Sequence, residues 1–286
     1  MNSEFKVFIE LTRLNKPIGI MLLFWPCAWS LAYSYSLNNN LNQFLYYLLL
    51  FFLGSILMRS AGCIVNDIVD KDFDKKVKRT KKRPLAAKLI NTKLASIYAI
   101  ALCIIAFFIL IQFNKLTIFL GMASMIPAFL YPFMKRVTWW PQLFLGLTFN
   151  WGIIMAGSAV NNSISIEIIF LYISAIFWTI GYDTIYGVQD IKDDEVIGLK
   201  STSIKFKKNI KKFVAANYLI SSSFLIYLFK GNFDQKLFVV LIMTYLISLI
   251  LQVRLFEKNK PEKCLQAFKI NYLSGFILLL AITSIK

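Results

Sequence analysis

The feature that most constrains this chain is the length of its apolar runs. Nine stretches, at 17–36, 43–65, 94–113, 116–134, 140–160, 164–182, 211–229, 236–254 and 267–285, are long and carry few charges. At about 1.5 Å of helix rise per residue, some twenty residues cross a bilayer core of about 30 Å. A backbone in lipid must satisfy its own N–H and C=O groups, so such segments are helices. The composition agrees, with 58% hydrophobic, 16% aromatic and only 16% charged residues, against about 25% charged in a soluble domain. The expectation is an all-α, polytopic membrane protein with nine transmembrane helices, forming a single domain over 1–286. Pro26, Pro127 and Pro132 lie inside runs, where neighbouring helices and side chains re-satisfy freed carbonyls.

The N-terminal stretch does not read as a cleavable signal: Glu4, Lys6, Glu10, Arg13 and Lys16 precede a run too long for a signal core. Cys27, Cys63, Cys103 and Cys264 show no CxxC spacing and read as small, reduced, apolar residues. The chain has no histidine. Imidazole-ligated metals and imidazole acid–base catalysis are excluded, and metal chemistry is directed to oxygen ligands.

A formal charge of +17 invites a nucleic-acid reading, but topology accounts for it. If the N-terminus and every second loop share one side, that side collects Lys6, Arg13, Lys16, ten basic residues from Lys71 to Lys93, Lys135, Arg136, seven from Lys192 to Lys212 and five from Arg254 to Lys269. The opposite side holds Lys115, Lys230, Lys236 and Lys286. Such asymmetry is the positive-inside pattern, with the N-terminus cytoplasmic. Basic loops facing an anionic leaflet need no nucleic acid.

Two loops on that side, 66–93 and 183–210, hold nine of the fifteen carboxylates. In the first, if the helix persists past its apolar run, Asn66, Asp67, Asp70 and Asp74 share one face by i, i+3 and i+4 spacing, and Asp72 points elsewhere. In the second, Tyr186, Asp190 and Asp194 are spaced by four, and Asp183 and Asp190 by seven. Carboxylates stacked on one face repel one another unless a cation sits among them. Two acidic helix ends converging across a cavity would hold Mg2+ through a few carboxylates and phosphate oxygens. Lys78, Arg79, Lys81, Lys82, Arg83 and Lys200 lie nearby, suited to clamping a diphosphate. Arg59 lies inside an apolar helix end before Asn66, where contact to a phosphate or an aspartate is the favoured reading over snorkelling.

At these residues the chain resembles the UbiA-type intramembrane prenyltransferases. Asn66-Asp67-x-x-Asp70-x-x-x-Asp74 looks like their first aspartate-rich motif, and Asp190-x-x-x-Asp194, with Tyr186 before it, looks like the second. Flanking blocks, including Arg13-Leu14-Asn15-Lys16-Pro17, Met58-Arg59-Ser60-Ala61-Gly62-Cys63, Tyr131-Pro132-Phe133-Met134-Lys135-Arg136 and Gly198-Leu199-Lys200-Ser201, are most similar to the members that prenylate 4-hydroxybenzoate for ubiquinone. The resemblance implies helices around a central cavity with a cytoplasmic active site. It implies transfer of a polyprenyl group from polyprenyl diphosphate to the ring of 4-hydroxybenzoate, in a bacterial inner membrane or, in a eukaryote, the mitochondrial inner membrane. No obligatory protein partner is implied. Mg2+ on Asp67, Asp70, Asp74, Asp190 and Asp194 would act as Lewis acid on the leaving group. Asn66 would orient the diphosphate and Arg79, Arg83 and Lys200 would neutralise it. Tyr131, Tyr182 and Tyr186 are candidates to shield an allylic cation. Arg13, Lys16, Arg59 and Arg136 are candidates for the acceptor's carboxylate, with no ranking among them. The aspartate motifs do not separate this acceptor from a naphthoate, a homogentisate or haem. A cation or proton transporter is the reading from another class, and it predicts carboxylates at mid-membrane rather than at helix ends.

Overall fold

Helices form wherever the apolar runs predict them, and the polar breaks between runs become caps. Asn39 and Asn162 end helices in the left-handed region, at φ 53° and φ 50°, a conformation Asn tolerates better than most residues. The side chains of Asn40, Asn91 and Asn114 accept from the backbone N–H groups of Gln43, Leu94 and Thr117, satisfying donors that an opening helix leaves orphaned.

The computed structural model describes residues 3–77 and 79–285; the predicted phosphate contact Lys78 lies outside them. The chain runs through α1 (Ser3–Thr12), α2 (Ile18–Asn38), α3 (Leu41–Asp74), α4 (Thr92–Leu110), α5 (Lys115–Ala123), α6 (Met125–Val137), α7 (Pro141–Phe149) and α8 (Trp151–Asn161). It continues through α9 (Ile166–Gly187), a 3-10 turn (Val188–Asp190), α10 (Ile191–Val196), α11 (Thr202–Lys205), α12 (Ile210–Leu228), α13 (Lys236–Leu255) and α14 (Pro261–Thr283). Among the described residues there is no strand, only an isolated bridge between Glu257 and Lys260.

Eight stretches are long and apolar enough to cross a bilayer: α2, α3, α4, α5 with α6, α7 with α8, α9 through α10, α13 and α14. The predicted seventh crossing, 211–229, forms α12 at 19 residues. It is less apolar than the eight because Lys211, Lys212, Asn217 and Ser221 to Ser223 interrupt it. Two crossings are broken midway. Between α5 and α6, Pro127 cannot donate to the carbonyl of Ala123, which interrupts the ladder. Between α7 and α8, the Asn150 Nδ2 donates to Gly146 O at 2.7 Å and to Thr179 Oγ1 at 2.9 Å, so a side chain enters the ladder and ties it to α9.

The predicted boundary at residue 65 moves. Helix α3 continues to Asp74, so the first nine residues of what reads as a loop are helical. Likewise α9 runs to Gly187, past the predicted end at 182. The inner helices are α2, packed on α3, α8 and α14, and α9, packed on α7, α12 and α14. Both are buried along most of their length, whereas α4 turns Ile97, Ile100, Ile104 and Phe108 outward. Lipid supplies no hydrophobic drive for helix association, so close backbone approach and interhelical hydrogen bonds do this work. The Trp29 indole donates to Gly275 O at 2.8 Å, joining α2 to α14. Gln252 of α13 accepts from Tyr218 of α12 at 2.5 Å and from Asn271 of α14 at 2.8 Å.

A β-carbon at Gly275 would stand 2.1 Å from the Trp25 ring. Gly275→Val therefore forces α14 off α2, and overpacking of this kind costs about 1–3 kcal/mol. The variant is expected to lower the thermal unfolding midpoint in detergent by several degrees; an unchanged midpoint would contradict this packing.

Candidate active site

The acidic face of α3 forms as its spacing dictates. Asp67, Asp70 and Asp74 turn inward, at 1%, 0% and 6% exposure, while Asp72 faces solvent and pairs with Lys75. Buried carboxylates are costly unless paired and hydrogen-bonded. Here the cations that relieve them are side chains from three other parts of the chain.

Arg13, held at φ 60°, directs one guanidinium nitrogen to both oxygens of Asp67 at 2.7 Å. Its other terminal nitrogen donates to Glu10 O at 2.7 Å, which fixes the fork. Arg83 bridges Asp67 at 3.1 Å and Asp74 at 2.9 Å. Lys135 bonds Asp70, and Arg136 reaches the same carboxylate at 3.2 Å and Val69 O at 2.9 Å. Arg136 also stacks 4.7 Å over Phe73. On the opposite wall Arg79 grips Asp190 through two bonds of 2.8 and 2.6 Å, and donates to the Tyr186 hydroxyl at 2.8 Å.

These contacts give several of the expected site residues partners within the chain. Arg79 and Arg83, expected on a diphosphate, hold Asp190 and the Asp67–Asp74 pair. Arg13 and Arg136, two of the acceptor candidates, are spent on Asp67 and Asp70. Lys200 borders the acidic cleft, but its ammonium donates to Val137 O at 3.2 Å and sits over the Trp139 ring. Among the described residues, no three carboxylates or thiols converge tightly enough to cage a metal ion by themselves.

Among the described residues, the side chains of Asn66, Asp183 and Asp194 make no ion pair or hydrogen bond. They border a cleft of about 190 Å³ between α3 and the α9–α10 end. Asp183, marked in the sequence only by its spacing of seven from Asp190, borders the cleft although it lies outside the two aspartate motifs. Lys135 also escapes sequence reasoning, because a basic residue at a helix end reads as a topology signal. The available clue for Asp183 is that it is the last carboxylate before the polar segment, with no basic residue three or four positions away.

The cleft opens into a cavity of about 1710 Å³. Asn66, Arg79, Arg83, Tyr131, Asp183 and Tyr186 line both volumes and form their junction. Tyr182 borders the cavity, and among the described residues its hydroxyl has no hydrogen-bond partner. Arg59 enters the same space. Its guanidinium lies 5.2 Å over the Phe149 ring, its Nε is unpartnered, and it nests where a β-carbon on Gly19 would come within 2.7 Å. Further along, Ile100, Ile104 and Phe107 of α4 and Met122 and Phe129 of α5–α6 line the cavity and are exposed on the outer surface. The cavity therefore opens sideways between those helices. At its other end Arg13, Lys16 and Lys82 form a basic mouth. Burial, and then repulsion from Arg13, Arg79 and Arg83, pushes the Lys16 ammonium below its usual pKa.

The fold and the site define an integral membrane protein in which a charged cleft joins an apolar, laterally open cavity. Residues 23–279 match the UbiA prenyltransferase family, and the chain belongs to that family. It is 46% identical over 209 residues to the mitochondrial 4-hydroxybenzoate polyprenyltransferase of Rattus norvegicus, covering 73% of this chain and 55% of the relative. It is 42% identical over 226 residues to the 4-hydroxybenzoate octaprenyltransferase of Vibrio atlanticus (strain LGP32), covering 79% of this chain and 78% of the relative. The chain thus spans about half the length of the mitochondrial relatives it matches. In fold it is similar to a UbiA homolog from Aeropyrum pernix K1, with a TM-score of 0.76, 22% identity and coverage of 92% of this chain and 96% of the other. It is also similar to a UbiA homolog from Archaeoglobus fulgidus bound to GPP and Mg2+, with a TM-score of 0.69, 17% identity and coverage of 98% and 99%.

The ion pairs differ in burial, and so in worth. Arg83 is 22% exposed and its two carboxylates 1% and 8%, whereas Arg79 is 40% exposed and its carboxylate 14%, nearer the solvent. Removing one partner of a buried pair costs on the order of 3 kcal/mol, and an exposed pair contributes at most about 1 kcal/mol. Arg83→Ala is expected to lower the thermal midpoint clearly, and Arg79→Ala barely. Equal shifts would mean that the Asp67–Asp74 pair is not buried as described.

Proposed function

We propose that this protein transfers a polyprenyl group from polyprenyl diphosphate to the ring of 4-hydroxybenzoate, giving 3-polyprenyl-4-hydroxybenzoate and diphosphate for ubiquinone synthesis. The observation that carries this reading is the shared wall between cleft and cavity. A substrate with a highly charged head and a long apolar tail needs that junction, with the head among basic side chains and the tail leaving sideways into lipid. The names of the relatives support the choice of acceptor. The whole chain acts as one domain, with its acidic end toward the cytoplasm. The setting is a bacterial inner membrane, or the mitochondrial inner membrane in a eukaryote. No nucleic acid or obligatory protein partner is needed.

The donor set suits Mg2+. Asp67, Asp70, Asp74, Asp190 and Asp194 offer hard oxygens, Asp194 and Asn66 without a competing partner, and Mg2+ binds through one or two carboxylates with phosphate oxygens and water. When bound, it would supply Lewis-acid stabilisation of the leaving diphosphate. The chain's own residues do the rest. Arg79, Arg83 and Lys200 exchange their present partners for diphosphate oxygens, which charge-assisted hydrogen bonds favour. Tyr131, Tyr182 and Tyr186 shield the allylic cation at the junction, each by up to about 2 kcal/mol when desolvated. The apolar cavity excludes water that would capture that cation.

Among the four acceptor candidates, Arg59 now ranks first. Arg13 and Arg136 already hold aspartates, and Lys16 stands at the mouth. Arg59 reaches into the cavity with no carboxylate of its own, and we assign it the carboxylate of 4-hydroxybenzoate.

Membranes containing the protein, given polyprenyl diphosphate, 4-hydroxybenzoate and Mg2+, are expected to yield the prenylated acid by mass spectrometry. Chelation by EDTA and Asp194→Ala should each abolish it while the protein still inserts. Arg59→Ala should raise KM for the acceptor by about tenfold or more, the loss of one charge-assisted contact, with little change in KM for the diphosphate. Product formed only with a naphthoate or homogentisate would overturn the choice of acceptor.

A further inference from the structure

Ring prenylation needs a proton acceptor, and this chain has no histidine to provide one. We propose that Asp183 is the general base, taking the phenolic proton of the acceptor; this rests on the reading above.

Asp183 lies on α9 one turn before Tyr186 and borders both the cleft and the cavity. It stands where the diphosphate end of one substrate and the ring of the other must meet. Asp67, Asp70, Asp74 and Asp190 are each gripped by Arg or Lys, and a carboxylate in that condition is a poor proton acceptor. Asp183 forms no such pair among the described residues. The other groups lining the cavity are less suited. Tyr131 and Tyr182 are phenols, no better as acceptors than the phenol to be deprotonated. Glu10 belongs to α1 at the mouth, beside Arg13 and Lys16. Of the groups that line only the cleft, Lys135 is tied to Asp70, and Asp194 does not border the cavity.

Arg59 supplies the orientation. It and Asp183 border the same cavity, yet among the described residues they make no ion pair. A para-hydroxy acid carries a carboxylate at one end and a hydroxyl at the other, matching a cation and an anion held apart.

The step balances without an oxidant. Asp183 accepts the phenolic proton, and the phenolate electrons drive the ortho ring carbon into a bond with the allylic carbon. The carbon–oxygen bond to diphosphate breaks, and its electron pair leaves with diphosphate. The ortho hydrogen then departs as a proton to diphosphate, and Asp183 returns its proton to the ring oxygen.

The test uses the full chain in nanodiscs with Mg2+, 4-hydroxybenzoate and polyprenyl diphosphate carrying oxygen-18 in the bridging position. Asp183→Asn is expected to slow ring transfer about 100-fold or more, within the usual range for loss of a general base. Exchange of oxygen-18 from the bridging to the non-bridging positions should continue near the wild-type rate, because ionisation of the diphosphate does not need this carboxylate. That retained exchange also reports a folded site. Asp183→Glu, which keeps a carboxylate, should recover at least tenfold over Asn. A more acidic acceptor, 3-fluoro-4-hydroxybenzoate, should narrow the gap between wild type and Asp183→Asn. Ring transfer by Asp183→Asn within threefold of wild type overturns the proposal. So does joint loss of exchange and transfer in both Asp183→Asn and Asp183→Glu, which would assign Asp183 to the diphosphate or its metal. A wild-type protein that gives no product with 4-hydroxybenzoate, yet prenylates another ring, overturns the acceptor assignment instead.

Discussion

Everything at the polar end of this bundle is arranged by the pairing of buried carboxylates with cations from distant segments. Asp67 and Asp74 recruit Arg13 from the start of the chain and Arg83 from the connection after α3. Asp70 recruits Lys135 and Arg136 from the end of α6. Asp190 recruits Arg79. Four separate pieces of backbone are thereby drawn to the end of one helix. Replacing such pairs by apolar side chains is often neutral or stabilising, whereas removing one partner is strongly destabilising. Stability alone gives weak reason to keep this much charge in an apolar fold. A ligand that needs both signs of charge gives a strong one.

The same end meets two solvents. Basic residues surround the mouth, and within the length of the cavity the lining turns to Ile, Phe and Met that are also exposed on the outer surface. A gap between α4 and α5–α6 would be costly in a soluble protein, because it exposes apolar side chains to water. In a bilayer it costs little, since lipid chains are as apolar as the side chains they touch. The break at Pro127 and the looser packing of α4 are thus tolerated where lipid is the neighbour, whereas α2 and α9 are locked by glycine approaches and interhelical hydrogen bonds.

Much of this was legible in the sequence because it is local. Run length specifies helices, asparagines mark their ends, and i, i+3, i+4 spacing puts Asp67, Asp70 and Asp74 on one face with Asp72 away from it. Pairing between distant segments was not legible. Nothing within a helical period links residue 13 to 67, 70 to 135 or 79 to 190, and a basic residue at a helix end serves topology and catalysis with the same letter. Lys135 therefore reads as topology, and the carboxylate partners of Arg79 and Arg83 do not show in the local pattern. The less apolar α12 is a related case. Its polar residues weaken it as a membrane segment when read alone, yet Tyr218 bonds Gln252 of α13, and Ser221 accepts from Ser174 of α9 at 2.9 Å.

Arg59 and Asp183, which line one cavity without pairing, are the informative remainder. In a volume of low dielectric, an unpaired cation and an unpaired anion attract strongly, and a flexible site would let them collapse together. Here each sits on its own helix. Arg59 on α3 is wedged between Gly19 and the Phe149 ring, and Asp183 on α9 lies one turn before Tyr186, which Arg79 anchors. Packing of Arg59 against Gly19 and Phe149 opposes the approach that electrostatics alone would favour. A molecule bearing an anion at one end and a hydroxyl at the other, across one aromatic ring, relieves both charges at once. A longer or non-acidic ring relieves only one. If Arg59 and Asp183 take the roles proposed for them, acceptor choice depends on how α3 and α9 place those two side chains, and not on the aspartate motifs alone.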